Sequence, residues 1–438
     1  MGESLALAVP ASVVHIARTL EGAGFSTWCV GGAVRDALLG HAHLDWDLAT
    51  AATPPQIRRL FKRTIPVGVE FGTVGVLDDH GTMHEVTTFR RDVQTDGRHA
   101  VVEFGASLED DLARRDFTVN AIAYSPITGE MRDPFGGRVD LERQLVRAVG
   151  APDDRMREDR LRALRAIRFA ARFGFTIEEP TWRAIMRSAP QLGRLSAERV
   201  RQEVEKTMEQ VERPSVAFTM WRESGAFATV IPSLATVSAL TLATVDCVRR
   251  PVRAAQSHRR MDRIAGLFSE QEPARAVQAL RALRFSKRDT SWIGDVLDRW
   301  HRVDGSMTAA LLRPDPPADV AIRRWVALMG RVRTPSVLRL AAAHWGAMRG
   351  AGLQAPPAAR VASLYRRGLR AAFHQPVELS DLAVDGSDLQ AVGIPAGPEL
   401  GRVLDQLLDV VIEDPARNAR EPLLELARAA SATLGGER

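Results

Sequence analysis

Two aspartates separated by one residue, Asp45 and Asp47, are the side chains whose spacing most directly suggests catalysis. Alternate residues of a strand point to the same face, so the two carboxylates would lie side by side. Adjacent carboxylates repel each other unless a cation lies between them, and Mg²⁺ usually combines one or two carboxylates with substrate phosphates. The pair therefore predicts a metal site, although the same spacing also occurs in solvated loops and helix caps.

A Gly31-Gly32 turn lies upstream of the two aspartates. The turn follows the apolar segment 28–30 and precedes a short predicted helix at 33–39. Backbone N–H groups at a glycine-rich turn and at a helix N-terminus attract anions, although a Gly-Gly pair by itself indicates no more than a turn. The order of strand, glycine turn, helix and paired aspartates predicts metal-dependent chemistry on a nucleoside triphosphate.

Glu85 lies in a predicted strand, 83–89, that is otherwise apolar and rich in threonine. If this strand lies beside the strand of the aspartates, Glu85 becomes a third carboxylate near the metal. The alternative is a glutamate at the edge of a sheet that faces water. The residues alone leave both interpretations open.

A second polar cluster, Arg-Arg-Asp-Phe-Thr-Val-Asn, occupies residues 114–120. Its arginines are suited to phosphate, and Asp116 and Asn120 are suited to ribose hydroxyl groups. A surface charge cluster at the start of a strand is the alternative interpretation. The following Asp-Pro-Phe-Gly-Gly segment at 133–137 predicts a turn.

Asp159 and Arg162 lie three residues apart in a predicted helix at 155–173, and they would therefore share a face. An aspartate accepts hydrogen bonds and an arginine donates them. Cytosine and adenine both present an amino donor beside a ring-nitrogen acceptor, whereas uracil and guanine present the reverse order. One fixed Asp–Arg pair could thus accept CTP and ATP without a nucleic-acid template. The alternative is an ordinary ion pair within the helix.

The composition predicts a globular protein of several domains without membrane segments. A chain of 438 residues is expected to form two to four domains. Its two cysteines exclude a disulfide framework and a cysteine-rich metal site. No apolar run is long enough to cross a membrane and no signal-peptide pattern occurs, so a cytoplasmic location is expected. The net charge of +5 permits an RNA partner, but an arginine-rich composition also follows from a GC-rich genome.

The predicted elements that must position these residues are strands and helices near the N-terminus and helices in the rest of the chain. Alternating and apolar segments predict strands, and the 3.6-residue period predicts helices. Strands are predicted at 26–30, 44–49, 72–78, 83–89 and 119–125, with 72–78 and 83–89 forming a hairpin, and helices at 11–22, 33–39, 54–62, 155–173, 180–188, 196–210, 214–224 and over most of 270–438. The predicted class is α+β, with an N-terminal α/β head and an all-α remainder.

The motifs from residue 22 to residue 210 resemble those of the tRNA nucleotidyltransferase and poly(A) polymerase family, and the Glu-Asp-x-x-Arg spacing is similar to that of class II tRNA nucleotidyltransferases. The resemblance implies a catalytic head at 1–142, a neck with the base-recognition helix at 143–212, a body at 213–350 and a tRNA-binding tail at 351–438. It implies that CTP and ATP are used to add CCA to a tRNA 3′ end.

The resemblance also assigns roles to individual residues. Two Mg²⁺ ions would bind Asp45 and Asp47, which with Glu85 form the catalytic group. Residues assigned to nucleotide binding are Gly31, Gly32, Arg35, Arg115, Asp116, Asn120, Asp159, Arg162, Arg165 and Arg168. The helix at 196–208 is similar to a motif that braces the base-recognition helix.

The C-terminal segment 382–425 is similar to the tRNA-binding region of CCA-adding enzymes and favours a tRNA partner, held at its acceptor arm and elbow, over poly(A) polymerase activity. The polar segment 90–100 departs from the family pattern because it lacks the usual Tyr and Pro. It is predicted as a mobile loop anchored by Arg90, Asp96 or Arg98, with an idle connection as the alternative. Dedicated A-adding, dedicated CC-adding and poly(A) polymerase activities therefore stay as alternative functions.

Overall fold

The computed structural model describes residues 6–41, 45–68, 71–95, 100–249 and 256–435. Residue contacts divide the chain into two compact units. The first comprises Met1–Val211 and Val216–Ala235, and the second comprises Glu212–Ser215 and Thr236–Arg438. The predicted α+β class is confirmed, because a mixed sheet with helices is followed by a mostly helical remainder. The division into four domains stays a prediction.

A mixed sheet of seven strands forms the centre of the first unit. The strands are β1 Thr27–Val30, β2 Asp47–Thr50, β3 Thr64–Gly68, β4 Thr73–Leu77, β5 Met83–Thr88, β8 Ala123–Tyr124 and β9 Met131–Arg132. Their order across the sheet is β3-β4-β5-β2-β1-β8-β9. β2 and β5 run parallel, whereas the other neighbouring strands run antiparallel. A separate antiparallel hairpin consists of β6 Arg90–Thr95 and β7 Ala100–Phe104.

The two faces of this sheet differ in how much of them is covered. Leu48 and Val86 are fully buried on one face, as the alternation of side chains along a strand requires. On the other face, Ala49 packs against Leu108 and Leu112. Farther along that second face, Glu85 and Met83 of β5 and Ile65 of β3 are exposed, and we refer to this part, which begins at Asp47, as the open face.

Helices surround the sheet and extend the first unit. They are α1 Ala11–Gly22, α2 Gly32–Leu38, α3 Pro54–Leu60, α4 Leu108–Ala113, α5 Gly137–Glu142, α6 Pro152–Glu158, α7 Leu161–Phe173, α8 Glu179–Ser188, α9 Ala197–Gln210, α10 Pro214–Glu223 and α11 Ala226–Val230. A short parallel pair, β10 Leu145–Val146 with β11 Thr176–Ile177, lies among them, in a region predicted to be all helical. α7 packs against α9, so these two helices form the part of the first unit that follows the head.

The second unit is built from helices around apolar cores. Its helices are α12 Ala239–Cys247, α13 Gln256–Leu267, α14 Pro273–Ala282, α15 Lys287–Leu312, α16 Asp319–Met329, α17 Thr334–Gly350, α18 Ala358–His374, α19 Gly386–Ala391, α20 Pro398–Glu413 and α21 Arg420–Gly435. Buried Arg323 of α16 donates to the carbonyl oxygens of Ile412 and Glu413 at the end of α20, at 2.5 and 2.8 Å. The predicted body and tail are thereby joined within one unit.

Several predicted elements are wrong in ways that matter for the site. The helix predicted at 155–173 is interrupted, because Asp159 has extended backbone angles and its carboxylate accepts the N–H of Leu161 at 3.0 Å. The strand predicted at 119–125 is a 3₁₀ turn at Thr118–Asn120 followed by the short β8. The segment predicted as a loop at 90–100 contributes most of the β6–β7 hairpin, and the sequence analysis missed β3 entirely.

None of the helices in the described ranges is both long enough and apolar enough to cross a membrane.

Candidate active site

The open face of the sheet brings the predicted catalytic carboxylates together. β2 and β5 pair in parallel with Leu48 opposite Val86, so Asp47 and Glu85 occupy neighbouring positions on the same face. Asp45 precedes β2 by two residues, and the buried Trp46 between the aspartates keeps both of them on the exposed side. Glu85 is thus placed beside the aspartates, as one of its two interpretations predicts.

The carboxylates affect one another electrostatically. The pKa of Asp47 is raised to about 6, chiefly because the surrounding protein limits the hydration of its carboxylate. The charge of Glu85 raises this pKa further, Arg115 opposes the increase, and Asp45 adds to it. A cation between these carboxylates would offset their repulsion.

The donor set fits a cation that shares its coordination with a substrate. Among the residues that the structure describes, no group of three or more His, Cys, Asp or Glu side chains could by itself hold a metal ion. Mg²⁺ usually takes one or two carboxylates and completes its coordination with water and substrate phosphates. Asp45 and Asp47 on an open face suit this mode of binding.

The Gly31-Gly32 turn lies next to the arginine of the second polar cluster. Gly31 has a φ of +76°, which favours glycine, and a Cβ atom there would come within 2.9 Å of the Arg115 guanidinium. Arg115 is fixed by Asp111, whose carboxylate accepts its Nη2 at 3.0 Å. The absence of a side chain at Gly31 therefore allows a cation to lie directly against the turn.

Asp111 is a residue that the sequence analysis missed. Its carboxylate is almost fully buried and accepts hydrogen bonds from both Arg114 and Arg115. Burial opposes ionisation of Asp111, but the two guanidinium groups outweigh it and lower the pKa of the carboxyl. The spacing of three and four residues between Asp111 and the two arginines is the sequence signal that could have identified it.

A continuous chain of hydrogen bonds links the second polar cluster to α2 and α7. Arg35 donates to the side-chain oxygen of Asn120 at 2.5 Å, and Asn120 donates to Asp116 at 2.9 Å. The second oxygen of Asp116 accepts Arg165 of α7 at 2.8–2.9 Å. Burial opposes ionisation of Asp116, but Arg165 and Asn120 outweigh it, and the pKa falls to about 2.

Arg35, which the resemblance assigns to nucleotide binding, is buried. Its guanidinium lies 5.1 Å from the ring centre of Phe169 and 4.6 Å from that of Phe173. It also pairs with Asp36 at 2.6 Å, and both side chains are at most 4% exposed. In this arrangement Arg35 connects α2 to α7 and positions Asn120.

Asp159 and Arg162 do not pair with each other, so the ordinary intrahelical ion pair is not formed. The Asp159 carboxylate accepts Arg199 of α9 at 2.7 Å as well as the N–H of Leu161. Arg162 donates to Glu158 at 2.7 Å and to the carbonyl oxygen of Arg114 at 2.8 Å. The interruption after α6 thus gives the predicted acceptor and donor separate supports rather than one helical face.

Arg168, which the resemblance assigns to nucleotide binding, is buried. It pairs with Glu203 of α9 at 2.7 Å, and the two side chains are 4% and 2% exposed. It also donates to Gln210 at 3.1 Å. Two of the arginines assigned to nucleotide binding, Arg35 and Arg168, therefore hold elements in place, and the role of α9 as a brace agrees with these contacts.

Comparisons with known proteins agree with this geometry. Residues 27–147 match the family model for the poly A polymerase head domain, and residues 174–237 match the model for a probable RNA and SrmB binding site of polymerase A. A CCA-adding enzyme of Geobacillus kaustophilus is 36% identical over 412 residues, which cover 93% of each chain. A CCA-adding enzyme of Lactiplantibacillus plantarum is 33% identical over 94% of each chain.

A solved structure gives the same result for the fold. The crystal structure of the Bacillus stearothermophilus CCA-adding enzyme in complex with CTP covers 100% of both chains, with a TM-score of 0.77 and 32% identity. Identity above 30% over nearly the whole length, together with the carboxylates and arginines described above, establishes the family. This chain belongs to the CCA-adding enzymes of the tRNA nucleotidyltransferase and poly(A) polymerase family.

Proposed function

We propose that this chain is a template-independent nucleotidyltransferase that adds CCA to the 3′ end of tRNA from CTP and ATP. The observation that carries the proposal is the placement of Asp47 beside Glu85 on an open sheet face, with Arg115 against the Gly31 turn. Carboxylates bind the metals of phosphoryl transfer, and an arginine next to a glycine turn suits a triphosphate. The relatives of this chain are named for the same activity.

Asp45 and Asp47 would hold two Mg²⁺ ions, which supply charge to activate the RNA 3′-OH and to stabilise the leaving pyrophosphate. Glu85 adds negative charge beside Asp47 and would help to hold the Mg²⁺ ion that activates the 3′-OH. Arg115, fixed by Asp111, would contact the triphosphate. Asp116 and Asn120, fixed by Arg165 and Arg35, would orient the ribose.

Base selection is assigned to Asp159 and Arg162. A carboxylate has about four acceptor positions and a guanidinium has five N–H groups, so the contacts with Arg199, Glu158 and the Arg114 carbonyl leave capacity for a base. Asp159 would accept the amino group of cytosine or adenine, and Arg162 would donate to the ring nitrogen. Because both side chains are held by neighbours, the pair would present a fixed pattern to either base.

The RNA partner is proposed to be tRNA, gripped at its acceptor arm and elbow by the helical tail. The residues that carry this part are those at 382–425, which pack around Val384, Leu389, Val403 and Leu423 in the second unit. Arginines on a chain with a net charge of +5 would contact the phosphates.

One incubation series tests the proposal. The purified protein, with Mg²⁺, CTP and ATP supplied singly and together, is given three tRNAs that end before CCA, after C and after CC. We expect each tRNA to be completed to CCA and no further. Activity on the CC-ended tRNA alone would make the protein a dedicated A-adding enzyme, and long A tails on unrelated RNA would make it a poly(A) polymerase. Either result would overturn the proposal.

A further inference from the structure

A cavity of about 400 Å³ opens within the second unit, where α17, α18 and the end of α12 meet. This volume lies within the range of sites that hold small organic ligands. The cavity belongs to the helical part of the chain, whereas the predicted catalytic carboxylates belong to the first unit. It is therefore separate from the candidate active site.

Four arginines line this cavity, and none of the described residues that line it is acidic. Arg339 is neutralised, because it donates to the buried Asp262 carboxylate at 2.6 Å. Arg249, Arg349 and Arg366 are exposed and have no carboxylate partner within the described ranges. Positive charges held together without counter-charges repel one another, and a bound anion would offset that repulsion.

Arg349 is held in place before any ligand binds. Its guanidinium donates to the carbonyl oxygen of Pro356 at 2.6 Å. A Cβ atom at Gly346 would lie 3.8 Å from the Arg349 Nη2 atom and 3.6 Å from the Cys247 sulfur. The glycine thus leaves room for a guanidinium and a thiol over the same backbone position. A donor that is already positioned loses less conformational entropy when it binds an anion.

The rest of the lining is apolar and has mostly small side chains. It consists of Ala342, Ala358, Val361, Ala362 and the aromatic ring of Tyr365. Small side chains leave the volume open, and an aromatic ring is a surface on which a planar group can pack. Tyr365 also forms a hydrogen bond with Arg339, which contributes to the raised pKa of that guanidinium. The cavity thus combines an apolar wall with several cations.

We propose that this cavity binds a free organic phosphate of nucleotide size, such as a nucleoside monophosphate. Guanidinium groups bind phosphate through paired N–H donors, and the apolar wall would cover the uncharged part of the ligand. A concave site of this volume favours a small ligand over an RNA helix, whose phosphates lie on a convex surface. The inference goes beyond the proposed function and does not rest on it.

Cys247 lines the cavity and provides a local measurement of binding. Burial, and then the charge of Asp246, raise the pKa of its thiol, whereas Arg349 and Arg249 oppose the increase. An anion bound to these arginines would cancel their effect and would also cover the sulfur, so the reactive thiolate would decrease. Cys29, the other cysteine, is fully buried.

The first experiment measures protection of Cys247 in the full chain. The protein is treated with N-ethylmaleimide in EDTA at about pH 8, and alkylation of each cysteine is followed by peptide mass spectrometry. AMP should slow the alkylation of Cys247 about fivefold or more, and adenosine, which lacks the phosphate, should not slow it. Equal rates with and without AMP would overturn the inference. Protection by tRNA but not by AMP would assign the cavity to RNA and would also overturn it.

The second experiment compares variants by the AMP concentration that gives half-maximal protection. Arg366→Ala removes a cation and Ala362→Leu fills part of the cavity, so each should raise this concentration about tenfold or more. Arg370→Ala is the matched control, because Arg370 is exposed on the same helix and is not among the lining residues. Cys29 should stay unmodified in every folded variant.

Unchanged half-maximal concentrations in Arg366→Ala and Ala362→Leu, or an equal change in Arg370→Ala, would contradict the proposed site. CCA addition to tRNA is measured separately. Its absence in the wild type would refute the proposed function without affecting this inference, whereas CCA addition without protection of Cys247 by AMP would refute only this inference.

Discussion

At the scale of single residues, the predicted catalytic carboxylates differ in exposure from two of the arginines assigned to nucleotide binding. Asp45, Asp47 and Glu85 are exposed on the open face, where limited hydration of the carboxylate, and then the charge of Glu85, raise the pKa of Asp47. Arg35 and Arg168 are buried with carboxylate partners. Loss of an exposed carboxylate should therefore affect the reaction, and loss of a buried arginine should affect the stability of the fold.

Asp47→Ala and Asp45→Ala should each lower nucleotide addition by about 10³-fold or more, because several kcal/mol of charge stabilisation in the transition state would be lost. tRNA binding, measured by filter retention, should stay near the wild-type value because the helical regions are untouched. Asp79→Asn is the matched control, since Asp79 is exposed in the turn between β4 and β5. Near-normal addition by the double Asp45/Asp47 variant would refute the assignment.

Arg162→Ala should reduce the preference for CTP over UTP by about 10- to 100-fold, because a bidentate contact discriminates by about 1–3 kcal/mol. The ratio of kcat/KM for the two nucleotides is the measurement, since a general loss of activity does not alter it. Arg157→Ala is the control, because Arg157 forms an exposed ion pair with Asp154 at 2.8 Å in the preceding helix. Full discrimination by Arg162→Ala would place base selection elsewhere.

At the scale of elements, the interruption between α6 and α7 is the feature that organises Asp159 and Arg162, the residues proposed to recognise the base. Because Asp159 leaves the helix, its carboxylate reaches Arg199 of α9, whereas Arg162 stays on α7 and reaches Glu158. α9 also supplies Glu203 to the buried Arg168. One contact from the interruption and one from α7 thus connect the region of Asp159 and Arg162 to α9.

Glu203→Ala should lower the free energy of unfolding by about 3–5 kcal/mol, because it leaves the Arg168 guanidinium buried without its carboxylate. Urea denaturation followed by far-UV circular dichroism is the measurement. Glu179→Ala removes an exposed i,i+4 pair with Arg183 and should change stability by less than about 0.5 kcal/mol. A double replacement, Arg168→Met with Glu203→Leu, should recover much of the lost unfolding free energy. Similar changes in unfolding free energy for Glu203→Ala and Glu179→Ala would refute the bracing role.

Deletion of residues 92–98 should leave addition of the two cytidines largely intact and block the final adenosine. The β6–β7 hairpin begins directly after β5, and CTP and ATP differ in size, so a movable element next to the site could readjust the pocket for the larger base. Asp96 and Arg98, two of its predicted anchors, lie outside the described residues. Single-nucleotide gel assays on the three trimmed tRNAs are the measurement. Equal loss of C and A addition would indicate a structural role instead.

At the scale of the whole molecule, the predicted head and almost all of the predicted neck belong to one compact unit, together with residues 216–235 of the predicted body, whereas the rest of the body and the tail belong to the other unit. Within the first unit, Asp116 joins the second polar cluster to α7, because it accepts both Asn120 and Arg165. Its ionisation should therefore contribute to the stability of this unit as a whole.

The pKa of Asp116 is about 2 in the folded chain, against about 3.9 in an unfolded one. A lowered carboxyl pKa stabilises the folded state above the unfolded value, so this contribution is complete above about pH 4 and is lost as the pH falls to about 2. The difference in unfolding free energy between the wild type and Asp116→Asn should shrink by about 2 kcal/mol over that range. The same difference for Asp79→Asn should change little; a constant difference for Asp116→Asn would contradict the prediction.

The sequence by itself determined the features that depend on residues close together along the chain. The alternation of Asp45, Trp46 and Asp47, the glycine turn and the string at 114–120 are local patterns, and they predicted a metal site at the aspartates and identified the family. The change from strand to helix periodicity gave the α+β class, because periods of 2 and 3.6 residues report which face of an element is buried. β3 escaped notice because Pro66 lies in its middle, and a proline within such a short segment argues against a strand unless the strand lies at a sheet edge.

Only the tertiary structure decided which of these residues meet. Glu85 lies beside Asp47 because β5 pairs in parallel with β2, and pairing between strands so far apart in sequence leaves no trace in either local pattern. Asp159 and Arg162 have the spacing of a helical pair, yet the Asp159 carboxylate bonds to the N–H of Leu161 and to Arg199, and these two contacts outweigh one surface ion pair. Charge and spacing fixed the chemistry of these side chains, whereas burial and long-range pairing fixed their partners.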